Sequence, residues 1–371
     1  MRQLLLILFT AASVHAAVRA DDAGQFEVRK SPAWIDTIAV NTHPANANIR
    51  SGIDGLLDDH QIHVVGANVD EYFRRVLRVA TSAGVQNASE LNIDFDPSYQ
   101  RLVLHDVVLI RDGKRIDELE PDEVRIIEKE SDADESIYSG DLTALIFLAD
   151  VRPGDVLDYS WSLEGSNPLL GGRYADEFTF DARIPTRLMR HRLVWPAGRP
   201  LHVSKPAQIA GNVYTWERRD IAATDVEDST PEWFDPSESI QVTEYASWSE
   251  VAKWAEALYA IDDDSRETIA QIANDIRESN KDRDAQLVAA IRFVQDDIRY
   301  LGIEMGRGSH EPRQPAAVMA QRYGDCKDKA LFLAALLREL GVEAYPRWST
   351  PSCASGSTSS CHRRSFSITS S

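Results

Sequence analysis

Between residues 63 and 219 apolar and polar positions alternate with a period of two. Tyr72, Arg74, Val76, Arg78 and Ala80 oppose Phe73, Arg75, Leu77 and Val79, and Leu91, Ile93 and Phe95 interleave with Asn92 and Asp94. That period puts successive side chains on opposite faces of a strand. Further strands are predicted over 102–110, 124–128, 142–148, 156–163, 178–184, 189–195 and 212–217. Asp112-Gly113 marks a hairpin and Pro153-Gly154-Asp155 a turn. Short strands at this spacing predict an antiparallel β-sandwich-like domain. From 245 the period becomes helical. Trp248, Val251, Trp254, Ala255, Leu258 and Tyr259 share a face behind a Ser247/Glu250 capping signature. Ile269, Ile272, Ala273 and Ile276 predict a second helix, and 284–299 a third. Leu331, Ala334, Leu337 and Leu340, followed by Gly341, predict another. The expected fold class is α+β, with the β-domain at 63–219 and a mainly helical core at 245–346.

Composition refines this outline. The 371 residues are 43% hydrophobic with a net charge of -19, which supports more than one core and argues against nucleic acid as a partner. Residues 1–20 have the form of a secretory signal: Arg2, an apolar run from Leu4 to Val14, and small-residue cleavage sites after Ala16 or Ala20. No later stretch is long and apolar enough to be a transmembrane helix. The expected location is periplasmic or secreted. Residues 21–62 read as an N-terminal extension with an edge strand at Trp34–Val40, and 220–244 as an acidic linker with Pro231 and Pro236.

The cysteines are Cys326, Cys353 and Cys361. Cys326 stands in Tyr323-Gly324-Asp325-Cys326-Lys327-Asp328-Lys329, at the start of the last predicted helix. There unpaired backbone N–H groups and the helix dipole favour a thiolate. The alternative is a small buried hydrophobe. Asp325 is placed to cap this helix, and Asp328 to serve its first turn rather than chemistry. His60 and His63 alone make no metal site, there is no zinc-type cysteine pair, and no metal or cofactor is expected. Gly306 and Gly308 lack the strand and helix that a phosphate cradle needs. His310 reads as a structural loop histidine.

The run from Gly302-Ile303-Glu304-Met305-Gly306 through Pro312 to Tyr323–Lys329, then Leu336-Leu337 and Gly341-Val342, resembles the transglutaminase-like superfamily. The preceding β-rich part, with Asp94-Phe95-Asp96-Pro97, Arg111-Asp112-Gly113 and Pro153-Gly154-Asp155, resembles the domain of unknown function DUF3857. The resemblance implies a papain-like core with a Cys-His-Asp triad. Cys326 matches the nucleophile, with Asp325 and Tyr323 as supporting residues. A protein or peptide substrate and amide hydrolysis or acyl transfer follow from it. The triad histidine and aspartate should lie downstream on strands. Residues 347–371 instead read as an irregular, Ser-rich and out-of-frame tail, in which His362 is the one histidine and no Asp or Glu occurs. The expectation is therefore an exported thiol enzyme, incomplete and inactive in this truncated form. The competing expectation is a non-catalytic envelope protein that binds through its β-domain.

Overall fold

Alternating positions close into one nine-stranded sheet that faces two smaller sheets. The structure, a computed structural model, describes residues 25–42, 49, 51–129, 136–224, 238–349 and 365–369. The signal-like segment, Cys353, Cys361 and His362 lie outside the described residues. The large sheet runs Phe26–Val28, Arg101–Arg111, Val156–Glu164, Asn68–Val79, Ile53–Val65, Thr186–Val194, Val213–Ile221, Gln208–Ala210, with Lys114–Asp117 hairpinned onto Arg101–Arg111. Asp112 and Gly113 both take positive φ (51° and 75°), as a tight two-residue hairpin requires. Most pairings are antiparallel, but Thr186–Val194 lies parallel to Ile53–Val65, and Phe26–Val28 parallel to Arg101–Arg111.

On one half of this sheet sits the layer Glu90–Phe95, Leu142–Phe147, Arg125–Glu128. Leu91, Ile93, Phe95, Ala144 and Ile146 pack there on Leu102, Leu104, Leu109, Leu157 and Trp161. On the other half sits Ala175–Thr179, Ser239–Thr243, His202–Val203, whose Phe178, Ile240 and Val242 meet Ile62, Val64, Leu193 and Trp216. Full burial of each large apolar side chain contributes about 1.5–3 kcal/mol.

Several expectations need correction. The edge strand is Phe26–Val28, and Trp34–Val40 is not a strand. The strand Ile53–Val65 begins inside the stretch expected as an extension, because its polar residues are paired rather than solvated. Arg190, 3% exposed, holds Asp59 at 2.7 Å and Asp36 at 2.6 Å. The stretch expected as a linker ends in the strand Ser239–Thr243, where Ile240 and Val242 alternate with polar neighbours and are buried.

A polar cluster joins the two layers on the second half. His60 Nε2 lies 2.9 Å from Glu71 Oε2, and Tyr174 donates to Asp176 at 2.9 Å. Burial and the Glu71 charge push the Asp176 carboxyl up to about 6. Burial works against charge on His60, yet Glu71, Asp176 and Asp58 raise it on balance. His191, paired with His60 on the adjacent strand, is pushed down to about 3 by burial and by the His60 charge.

Six helices are described: α1 Ser82–Ala88, α2 Trp248–Leu258, α3 Asp263–Ser279, α4 Arg283–Asp296, α5 Pro315–Gln321 and α6 Cys326–Glu339. α1 rests against the large sheet at a close approach. A Cβ on Gly84 would stand 2.0 Å from the Gly52 carbonyl oxygen. α3 to α6 share a core of Ile269, Ile272, Ala273, Ala290, Val294, Val318, Phe332 and Leu336. No described helix is long and apolar enough to cross a membrane. The tail expected to be irregular contributes a strand, Ser365–Thr369, antiparallel to Tyr345–Ser349. Phe366 and Ile368 alternate there with Ser365, Ser367 and Thr369, a short period-two run within a Ser-rich stretch.

The Asp176 cluster gives a pH dependence of fixed sign. A carboxyl raised above its unfolded value of 3.8 binds its proton more tightly in the fold. Its contribution is therefore favourable at low pH and is lost as pH rises through about 6. Asp176→Asn should be more stable than the parent near neutral pH, with the gain shrinking towards pH 4 in urea titrations. A gain that is constant with pH would contradict this.

Candidate active site

Three charged side chains lie in the first turn of α6, each at most 1% exposed: Asp325, Lys327 and Asp328. Asp325 is the N-cap. One of its carboxylate oxygens accepts from the backbone N–H groups of Lys327 (3.0 Å) and Asp328 (3.1 Å). Asp328 closes the capping box by accepting from the Asp325 N–H at 3.1 Å. The box leaves few orphan donors at this helix start. It also requires Gly324, since a Cβ there would stand 2.8 Å from Asp328 Cβ.

The charges are then closed off in two directions. Lys327 Nζ reaches Asp325 Oδ2 at 2.5 Å and Glu304 Oε1 at 3.5 Å. Asp328 accepts from the Arg313 backbone N–H at 2.6 Å and pairs with the Arg313 guanidinium at 3.1 Å. Arg313 lies over the Tyr323 ring at 5.3 Å, so Tyr323 supports the guanidinium that pairs with Asp328. Lys329 donates to the Ile298 carbonyl and fixes α6 to the end of α4.

Cys326 is the first helical residue, half-buried, and the one free thiol among the described residues. Burial pushes its thiol up from the ordinary value, and Asp325 and Glu304 push it further. Lys327, by its charge and its backbone N–H, works the other way. The helix dipole favours a thiolate at this position, whereas burial first, and then the Asp325 and Glu304 carboxylates, oppose it. At this helix start burial, and a cap that is itself an anion, work against ionisation of the thiol.

His310 lies in the loop ahead of α5, within hydrogen-bond distance of Ser309 Oγ and edge-on to Trp254 at 6.1 Å. His60 and His63 share a strand three positions apart, so they face opposite sides. No cluster of metal-binding side chains exists among the described residues. Two surface cavities are not lined by Cys326. One, of about 610 Å³, lies between Trp34, His63, Asp70 and Arg101, and the other, of about 420 Å³, lies along α4. Sequence reasoning missed Lys327, Glu304 and Arg313. The one available signal was the density of charge, Asp-Cys-Lys-Asp-Lys, in the first turn of an otherwise apolar helix.

Residues 67–225 match the domain of unknown function DUF3857, and residues 270–352 match the transglutaminase-like superfamily core. The chain thus carries a DUF3857 domain followed by a transglutaminase-like core. A crystal structure from Parabacteroides distasonis ATCC 8503, of a protein provisionally designated a protease, superposes with a TM-score of 0.64 at 15% identity, covering 81% of this chain. This chain spans 61% of that protein's length, and the likeness concerns the fold alone. Leukotriene A4 hydrolase from Saccharomyces cerevisiae (TM-score 0.30, 14% identity, 52% of this chain and 29% of that one) superposes too weakly to carry an argument. The same holds for Legionella pneumophila aminopeptidase A in complex with aspartic acid (0.27, 12%, 52% and 21%). No protein with a curated description matches.

The cap and the ion pair can be separated by substitution. Asp325→Asn keeps an N-cap acceptor but leaves Lys327 without its nearest counter-charge, and should cost about 3 kcal/mol. Asp325→Ala removes the cap as well, adding about 1 kcal/mol. Urea denaturation followed by circular dichroism reads both. An Asp325→Asn variant as stable as the parent would show that the buried pair contributes nothing.

Proposed function

We propose that this is an exported thiol acyl-transfer or amide-hydrolysing protein that uses Cys326 as its nucleophile, with very low turnover in the present chain. The observation that carries the reading is the position of Cys326 as first residue of α6 within the transglutaminase-like core. A thiolate there would attack an amide or ester carbonyl. The acyl group would pass to sulfur, the leaving amine would depart with a proton, and water or an amine would take the acyl group. The substrate class is a protein or peptide amide. Export rests on the form of residues 1–20.

Low turnover follows from electrostatics. The groups that weigh most on the thiol are Asp325, Lys327 and Glu304, and none is a histidine. Burial and these carboxylates hold the thiol above its ordinary pKa and so disfavour the thiolate at neutral pH. The same observation favours a second reading, a non-catalytic envelope protein that binds through its β-domain, with Cys326 an inert residue of the core.

Acylation separates the two. In a Cys353→Ser/Cys361→Ser background, p-nitrophenyl acetate should acylate Cys326 slowly near pH 7. The rate should rise about tenfold per pH unit towards the thiol pKa, and the reaction should be absent in Cys326→Ala. Intact-mass analysis identifies the adduct. A burst near neutral pH would show an activated thiolate and overturn the low-turnover reading. No adduct at any pH would leave the binding reading.

A further inference from the structure

The stretch Arg299–Glu304 is a connector paired at both ends. At one end Arg299 and Tyr300 lie parallel to Tyr323 and Gly324, the two residues before the N-cap. Arg299 donates to the Arg322 carbonyl at 3.0 Å and Leu301 to the Gly324 carbonyl at 3.2 Å. At the other end Gly302 and Ile303 lie parallel to Ile137 and Tyr138 of the β-domain. Gly302 donates to Ser136 and Glu304 to Tyr138, each at 2.8 Å. A continuous backbone ladder therefore runs from the β-domain to the residue pair that precedes Asp325 and Cys326.

The contact between the domains along this ladder is unusually close. A Cβ on Gly302 would stand 3.2 Å from Ile137 Cγ1, and one on Gly140 would stand 2.5 Å from Met305 Cε. One on Gly306 would meet Ser98 Oγ at 2.7 Å. Three glycines thus let two surfaces meet where side chains would hold them apart. α2 is joined to the same domain through Trp254, which donates to the Leu169 carbonyl at 2.7 Å, and through a Glu250–Arg173 pair at 3.0 Å. Glu304, the last residue of the connector, delivers its carboxylate to Lys327 beside Cys326.

We propose that the β-domain is a positioning element for the nucleophile loop: Ser136–Tyr138, through Arg299–Glu304, sets the placement of Tyr323–Cys326, and Glu304 is the positioning residue that reports it. A ligand or protein that draws the Ser136–Tyr138 strand away would change the reactivity of Cys326 without touching it. The consequence for chemistry rests on the nucleophile reading above, whereas the ladder itself does not. The charged groups that act on the thiol are Asp325, Lys327 and Glu304, and of these Glu304 sits on the connector.

The test uses the full chain in the Cys353→Ser/Cys361→Ser background, with two readouts. The first is hydrogen exchange. Gly302→Val wedges Ile137 aside and should release protection at 299–304 and, beyond the substitution, at 322–326. The second is the iodoacetamide alkylation rate of Cys326 across pH. Glu304→Gln removes one of the anions that oppose ionisation and should speed alkylation by about threefold near neutral pH. Gly302→Val should do the same, and the double variant should add nothing further. If Gly302→Val does not fold, Gly302→Ala should give the same changes at smaller size. Unchanged exchange at 322–326 in a folded Gly302→Val protein overturns the proposal. So does alkylation that responds to Glu304→Gln and not to Gly302→Val. If the parent thiol is alkylated only on unfolding, the nucleophile reading fails, and the exchange readout still decides the ladder.

Discussion

Burying charge is the constraint on which the start of α6 depends. Asp325, Lys327 and Asp328 are almost wholly withdrawn from water, and an isolated ion so placed would cost several kcal/mol. Each is therefore matched. Asp325 answers Lys327, Arg313 answers Asp328, and the backbone N–H groups of the first turn take what the carboxylates have left. These partners come from three places: the helix itself, the loop before α5, and the connector that ends in Glu304. The placement of Cys326 is a consequence of this matching, since the residue sits between two members of the set.

The same setting opposes ionisation of the thiol, through its burial and the carboxylates beside it. A helix start is an electropositive place while its donors are free. Here the Lys327 and Asp328 N–H groups donate to Asp325, and the capping carboxylate lies next to the sulfur in sequence. An arrangement that fixes the loop firmly also raises the cost of forming a thiolate. A nucleophile in this setting needs a base brought to it, which is the part that a transglutaminase-like triad assigns to histidine.

Much of the architecture was legible because two faces of each strand differ in polarity. The strands Glu90–Phe95, Arg101–Arg111 and Val156–Glu164 and the helices α2 to α4 and α6 lie close to where the periodicity placed them. Legibility failed where polar residues are buried in pairs. Asp54 and Asp59 disguise the first half of Ile53–Val65, because Arg187 and Arg190 meet them from a strand far along the chain. In the candidate site, Cys326 was legible from a local motif and Asp325 from capping rules. Glu304 and Arg313 were not, because their partners in the first turn of α6 are defined by loop packing. The link from β-domain to core was equally hidden, since strands of two residues such as Gly302–Ile303 carry no periodicity.

The central claim is that burial, together with the Asp325 and Glu304 carboxylates, holds Cys326 as a thiol. Titration of the full chain carrying cysteine labelled with ¹³C at Cβ, in the Cys353→Ser/Cys361→Ser background, measures this by NMR. The account predicts a thiol pKa above the ordinary value, and a lower one in Glu304→Gln. A Cys326 already ionised at neutral pH would contradict it.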